Sequence, residues 1–325
     1  MTRYAVGGHE DGPRDQPPTA REAAWFRSHF HAMAANKSSF EWQDFVTALM
    51  TARHRGAFMQ VDPTGRGDKG CDGWVDDLML ACYGAIREDP DDLAGKIRGD
   101  FNKACKYWRD EMRSWAFVHN NKRGLAEGAM REITHLRRNK SDHGVEVLAW
   151  PPDLLWDETG GQLSKQQLMI IIGAPPSDDP ASMTYIGRCV QALARLPIPD
   201  ESGQVPEVDF GKVEENEFSD SVSTLLIESM KFTDLISRYF VRSPPGEQAQ
   251  AAENIKLRYD RHRARNFDSD LTFHALCEDL RHEAFGNIVD ASTEELRDQR
   301  SACLMVVTHF FEKCTIFEPA KAGRK

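Results

Sequence analysis

The sequence predicts two parts of different class, an α/β domain followed by an all-α domain. Short strand-like segments alternate with segments of helical period up to residue 150. Two breaker clusters rich in proline then follow, over residues 174–180 and 197–209, and every long segment after them has a helical period. The length of 325 residues also exceeds the usual size of one core. We place the boundary near residue 178.

The α/β part begins with a helix over residues 39–54, where apolar side chains recur at helical spacing behind Ser38 and Ser39 as N-caps. Strands are predicted next over 57–62, 72–75 and 78–83, then a helix over 92–112, a strand over 114–120, a helix over 124–138 and a strand over 145–150. This order is the arrangement of a restriction-endonuclease-like core.

The remaining segments complete the domain plan. Residues 1–35 are predicted to be a disordered or loosely packed tail, since their start is polar and rich in glycine and proline. The restriction-endonuclease-like domain then covers 36–177 and the helical C-terminal docking domain covers 178–325. The helices of the second domain are predicted over 217–240, 246–265, 270–284 and 292–314.

Composition limits the classes of function. The longest strongly apolar run, residues 168–172, is far too short to span a membrane, and residues 1–18 have no apolar segment that could serve as a secretory signal. Seven cysteines without a CxxC pair favour reduced, packed thiols. We therefore expect a cytoplasmic protein with no membrane contact.

Charge limits how the chain could bind DNA. The net charge of −10 excludes bulk attraction, so a DNA contact needs a local basic patch. One candidate is residues 135–140, with Arg137, Arg138 and Lys140; another is residues 258–265. Either patch can equally be a solvated helix face.

One acidic constellation could carry chemistry. Nucleases of the predicted fold hold Mg²⁺ or Mn²⁺ with oxygen ligands on adjacent strands, and the metal orients the attacking water. Asp72 begins the second predicted strand after a glycine-rich turn, and Asp68 precedes it by four residues. Glu41, in the first turn of the first helix, would complete the site. The alternative is that Asp68 only caps the turn.

The third strand departs from this pattern. An acidic residue or glutamine and then a lysine are expected there, but Ala81 and Tyr83 take those positions. Neither is an ordinary Mg²⁺ ligand, and tyrosine does not replace an ammonium group. A lysine of the next helix could supply the charge, with Lys96 as the first candidate and Lys103 and Lys106 as the others.

Two stretches of sequence carry a family resemblance. The first contains LMLACYGA (78–85), KIxxDFxxAxxxW (96–108) and WAFVHN (115–120), and the second is FFEKCTIFE (310–318). Together they resemble the effector components of bacterial ABC-three-component defence systems, the group that includes Lamassu. The resemblance covers roughly residues 39–318.

The resemblance implies a bacterial antiphage protein. Its front half would be an Mrr-type, PD-(D/E)xK nuclease effector, with Asp72 in the place of the metal-binding aspartate. Its helical half would dock on an SMC-like ABC ATPase and a small middle component through Phe310, Phe311 and Phe317. These three phenylalanines can instead be core.

Three functions therefore stay open. The first is a Mg²⁺-dependent DNA nuclease in which Asp72, Asp68 and Glu41 bind metal and Lys96 stabilises charge. The second is a degenerate nuclease fold that binds DNA or scaffolds the complex. The third is an interaction protein without a nucleic-acid role. Self-association into a homo-oligomer is compatible with each.

Overall fold

The computed structural model describes residues 17–61, 69–85, 90–195, 213, 215–265, 267–287, 291–313 and 315–317. Within these residues the predicted strands form one mixed sheet in sequential order. The strands are β1 (Phe58–Gln60), β2 (Gly73–Val75), β3 (Leu78–Tyr83), β4 (Ser114–His119) and β5 (Glu146–Trp150). The pairs β1–β2 and β2–β3 are antiparallel, and β3–β4 and β4–β5 are parallel.

Helices cover both faces of the sheet. One face is covered by α2 (Ser39–His54), and the indole N–H of Trp42 donates to the carbonyl of Val118 across 3.2 Å. The other face is covered by α3 (Pro90–Tyr107), α4 (Glu127–Arg138) and the short α5 (Lys140–His143). Since strand side chains alternate between faces, Leu80 joins the α2 core while Ala81 joins the α3–α4 core.

Part of the segment predicted to be a tail is helical and packed instead. The first helix, α1 (Ala20–Asn36), begins at a capping box between Thr19 and Glu22. Its aromatic residues Trp25, Phe26 and Phe30 are buried in the larger core cluster. The polar composition therefore ends at the two prolines before Thr19, and the residues after them have enough apolar surface to fold onto the protein. Residues 1–16 lie outside the described part of the chain.

Helices make up most of the described residues after β5. They are α6 (Pro152–Glu158), α7 (Lys165–Ile171), α8 (Met183–Ala194), α9 (Asp220–Met230), α10 (Thr233–Val241), α11 (Glu247–Arg263), α12 (Ser269–Phe285) and α13 (Thr293–Glu312). The single helix predicted over 217–240 is thus two helices. Phe232 interrupts them with φ −110° and ψ 0°, and the guanidinium of Arg21 lies over its ring.

A buried carboxylate ties α1 to the C-terminal helices. Glu22 accepts hydrogen bonds from Lys165 of α7 at 2.7 Å and from Arg297 of α13 at 3.0 Å. Burial alone would raise the pKa of Glu22, but the bonds from Lys165, Thr19 and Arg297 outweigh it and lower that pKa. The carboxylate is therefore held charged between three helices.

The larger core cluster runs from the α2 face of the sheet into the C-terminal helices. It contains Val118 of β4, Phe30 of α1 and Phe310 of α13. The same core cluster contains buried side chains from before and after residue 178. The domain boundary predicted there therefore stays a prediction. Within the described ranges, no helix combines the length and the apolar character needed to cross a membrane.

Candidate functional site

The carboxyl ends of the parallel strands β3, β4 and β5 meet at one edge of the sheet. Open α/β sheets bind ligands at this edge. Because β2 is antiparallel to β3, Asp72 at the start of β2 lies beside the end of β3. Tyr83 and His119 end β3 and β4 and are paired in the register. The predicted site residue Asp72 is therefore at the edge where chemistry is expected.

The Asp72 carboxylate is engaged with the backbone of the neighbouring strand. It is 9% exposed, and its Oδ2 accepts a hydrogen bond from the amide of Cys82 at 2.5 Å. The Asp72 amide in turn donates to the carbonyl of Leu80 at 2.8 Å. The Asp72 side chain thus bonds to the backbone at the open end of the β2–β3 pair.

The surroundings of Ala81 and Tyr83 are aromatic rather than charged. Ala81 is buried in the α3–α4 core, and the Tyr83 ring stacks on Phe117 with centroids 5.9 Å apart. His119 is buried, and burial lowers its pKa to about 4, so the imidazole is neutral near pH 7. Such a buried, neutral imidazole among aromatic rings is typical of a structural histidine.

Glu41 lies in another environment. It is exposed in the first turn of α2 and lines a cavity of about 300 Å³. The other walls of that cavity include His29 and Met33 of α1 and His274 and Glu278 of α12. Asp72 is not among the lining residues, so the structure does not bring the two carboxylates to one cavity.

The candidate catalytic lysine is paired within its own helix. Lys96 Nζ lies 2.7 Å from Asp100 Oδ2, and Lys103 Nζ lies 3.2 Å from Asp100 Oδ1. The Asp100 carboxylate is largely buried between these ammonium groups. The charge of Lys96 is therefore paired with a carboxylate of its own helix.

The positions of the predicted ligands determine whether they could bind Mg²⁺ or Mn²⁺ together. Asp68 lies outside the described residues. In the described part of the chain, no group of three or more His, Cys, Asp or Glu side chains could hold a metal ion. With Asp72 bonded to Cys82 and Glu41 in a separate cavity, the described residues do not fit the predicted metal site.

The two predicted basic patches differ. Arg138 and Lys140 are exposed at the ends of α4 and α5, while Arg137 donates from Nε to the carbonyl of Val147 at 2.8 Å. In the second patch Arg258 pairs with Glu283, and His262 pairs with Asp279 at 2.8 Å. Both patches therefore keep exposed basic groups, and those of the second patch are Arg261, Arg263 and Arg265.

The first patch belongs to a larger basic layer. Residues 93–143, which contain α3 from Leu93 onwards together with β4, α4 and α5, have twelve Lys and Arg against six Asp and Glu, a net charge of +6. Since the net charge of the whole chain is −10, the residues outside this range have a net charge of −16. Two of the six acidic groups, Asp100 and Glu132, are buried and paired within the layer. We call residues 93–143 the basic layer.

An exposed aromatic residue in this layer escaped the sequence analysis. Tyr107 ends α3 and is 47% exposed, with Lys69 Nζ at 4.7 Å and Lys106 Nζ at 5.1 Å from its ring centroid. The run KYWR at 106–109, in which aromatic and basic residues mix, was the available signal.

The predicted docking residues are buried instead of lying on an open surface. Phe310 and Phe311 of α13 are core residues, and so is Phe317 after the helix. The Phe317 ring lies 4.8 Å from the ring of Tyr259. The apolar ending therefore packs against the helical part of its own chain.

Comparison with known proteins adds no relative: the chain matches no protein-family model, no curated protein and no solved structure.

Proposed function

We propose that this chain is a DNA-binding subunit with a nuclease-type sheet that does not itself cut DNA. The observation that carries the proposal is the separation of charge, +6 in residues 93–143 against −16 in the rest of the chain. A local positive surface on an acidic protein attracts a polyanion to one face while the remainder repels it. The sequential sheet with an antiparallel second strand is compatible with the predicted fold.

Packing within the basic layer brings together the helix ends that carry basic residues. The strand–helix repeats place α3 and α4 side by side, and Arg98 Nε donates to Glu132 Oε1 at 2.9 Å. The rings of Phe101 and His143 lie 4.9 Å apart, which brings the later turns of α3 next to α5. Lys106, Arg138 and Lys140 therefore belong to neighbouring ends of helices, where a phosphate backbone could contact several of them together.

The biological setting is proposed on the family resemblance alone. In that setting the subunit works in a bacterial antiphage complex with an SMC-like ABC ATPase and a small middle component. A non-cutting subunit would hold DNA for the ATPase.

A charge-removal experiment tests DNA binding. For Arg138→Ala/Lys140→Ala we expect weaker binding to a DNA duplex, because two phosphate contacts are lost. The plot of log K against log salt concentration should lose about 2 from its slope. Fluorescence anisotropy over a salt series measures both quantities. The matched control is Arg261→Ala/Arg265→Ala, which removes two exposed arginines from the second patch.

Two outcomes would contradict the proposal. Absence of binding to both duplex and single-stranded DNA by the wild-type protein at low salt would favour an interaction protein without a nucleic-acid role. An equal loss of affinity in the control variant would mean that binding follows overall charge and not the basic layer.

Metal-dependent cleavage is the second candidate, favoured by the position of Asp72 at the carboxyl edge. Its test is calorimetric titration of Mn²⁺ into the wild type and Asp72→Asn. The asparagine keeps an oxygen that can accept the Cys82 amide but loses the negative charge that a metal needs. We expect no Mn²⁺ binding that depends on Asp72. Binding that disappears in Asp72→Asn would instead restore the nuclease interpretation.

A further inference from the structure

Tyr107 combines an exposed aromatic face with mobile positive charges. Nearly half of the residue is exposed at the end of α3, and the ammonium groups of Lys69 and Lys106 lie beside its ring. Lys69 comes from the loop before β2, so two separate parts of the chain supply the cations. The next residue, Trp108, packs on Trp74 with ring centroids 5.2 Å apart and anchors this end of the helix.

We propose that Tyr107 is a stacking platform for an unpaired base, so that the basic layer binds single-stranded DNA at this point. This inference rests on the proposed DNA binding and specifies its substrate. An aromatic ring offers every base a face to stack on, and adjacent lysines bind the phosphates on either side. Lys69 and Lys106 have flexible side chains that can turn from the ring to a phosphate when a base takes their place.

The exposed position of the Tyr107 ring favours single-stranded DNA over a duplex. In a duplex both faces of an internal base are already stacked on neighbours, so an outward ring gains little from it. An unpaired base has free faces and a flexible backbone. Arg109 extends the cationic surface beyond the ring, whereas Asp110 and Glu111 end it. The expected contact is therefore short, with one base on Tyr107 and phosphates on the lysines.

Comparison of strands with and without bases tests the inference. The full chain is titrated with a single-stranded oligonucleotide, an abasic strand of equal length and charge, and the corresponding duplex. For Tyr107→Ala we expect about tenfold weaker binding to the strand with bases, the size of one typical stacking contact. Affinity for the abasic strand and the duplex should be unchanged. Tyr107→Phe keeps the ring and should bind as the wild type does.

Other results would overturn the inference in distinguishable ways. If Tyr107→Ala binds the strand with bases as tightly as the wild type, or if Tyr107→Phe is as weak as Tyr107→Ala, the ring is not the platform. In that case duplex binding that depends on Arg138 and Lys140 would leave the proposed function standing. If the wild type binds none of the three ligands at low salt, the proposed function fails as well. Equal melting temperatures of the variants exclude loss of folding as the cause.

Discussion

Acidification from pH 7 to pH 5 is expected to unfold this protein, because several histidines are buried in their neutral form. Burial lowers the pKa of His119, His274 and His309 to about 4. The nearby carboxylates Asp270 and Glu278 oppose this effect at His274 without cancelling it. Unfolded histidine has a pKa of about 6.5. Between these values the unfolded chain takes up protons that the folded chain cannot.

The sign and size of the effect follow from this difference in proton uptake. The free energy of unfolding is unaffected well above pH 6.5 and falls as the pH drops from 6.5 towards 4. At pH 5 each of the three histidines lowers it by about 2 kcal/mol. Together they approach the total stability of about 5–15 kcal/mol that is typical of a folded protein.

Thermal and urea denaturation between pH 7.5 and pH 4.5 measure this dependence. The variant His309→Gln removes one protonatable group from the core, so its loss of stability between pH 7.5 and pH 5 should be smaller by about 2 kcal/mol. His135→Gln is the matched control, because His135 is exposed and lies on α4. Stability that stays constant down to pH 5, or an equal gain from both variants, would contradict the expectation.

The local elements could be predicted because their signals are local. The helix over 39–54 and the strand over 78–83 were assigned at their observed bounds, since each follows one period and ends at a clear breaker. The helix α1 was missed although Thr19 and Glu22 form a capping pair in the sequence, because the polar segment before it was extended too far. The break at Phe232 has no proline or glycine as a signal, and the Arg21 guanidinium that lies over its ring comes from α1, far along the chain.

The site could be predicted only in part, because its side chains form hydrogen bonds and ion pairs with residues that are distant in sequence. The sequence predicts Asp72 at the start of the second strand, and in the structure it directly precedes β2. That its carboxylate accepts the Cys82 amide follows from strand pairing. In the same way the charge of Glu22 depends on Lys165 and Arg297, more than a hundred residues away. The residue type therefore indicates candidate site residues, and the fold determines which of these side chains can still bind a ligand.

Truncation of Phe311 is the substitution from which we expect the largest loss of stability. Its side chain is fully buried, and its ring lies 5.8 Å from that of Phe218 and 5.7 Å from that of Phe317. For Phe311→Ala the free energy of unfolding should fall by roughly 3–5 kcal/mol, since a buried phenylalanine leaves a cavity that its neighbours only partly fill. Urea denaturation at pH 7.5 measures the change.

A surface position on the same helical part provides the control. Val241, at the end of α10, is 86% exposed, so Val241→Ala should change the free energy of unfolding by less than about 0.5 kcal/mol. If Phe311 served to dock a partner, the opposite result would be expected: Phe311→Ala would keep wild-type stability and lose only the binding of that partner. A large loss of stability in Phe311→Ala places the FFEKCTIFE ending in the core, and any partner must then bind side chains that this core leaves at the surface.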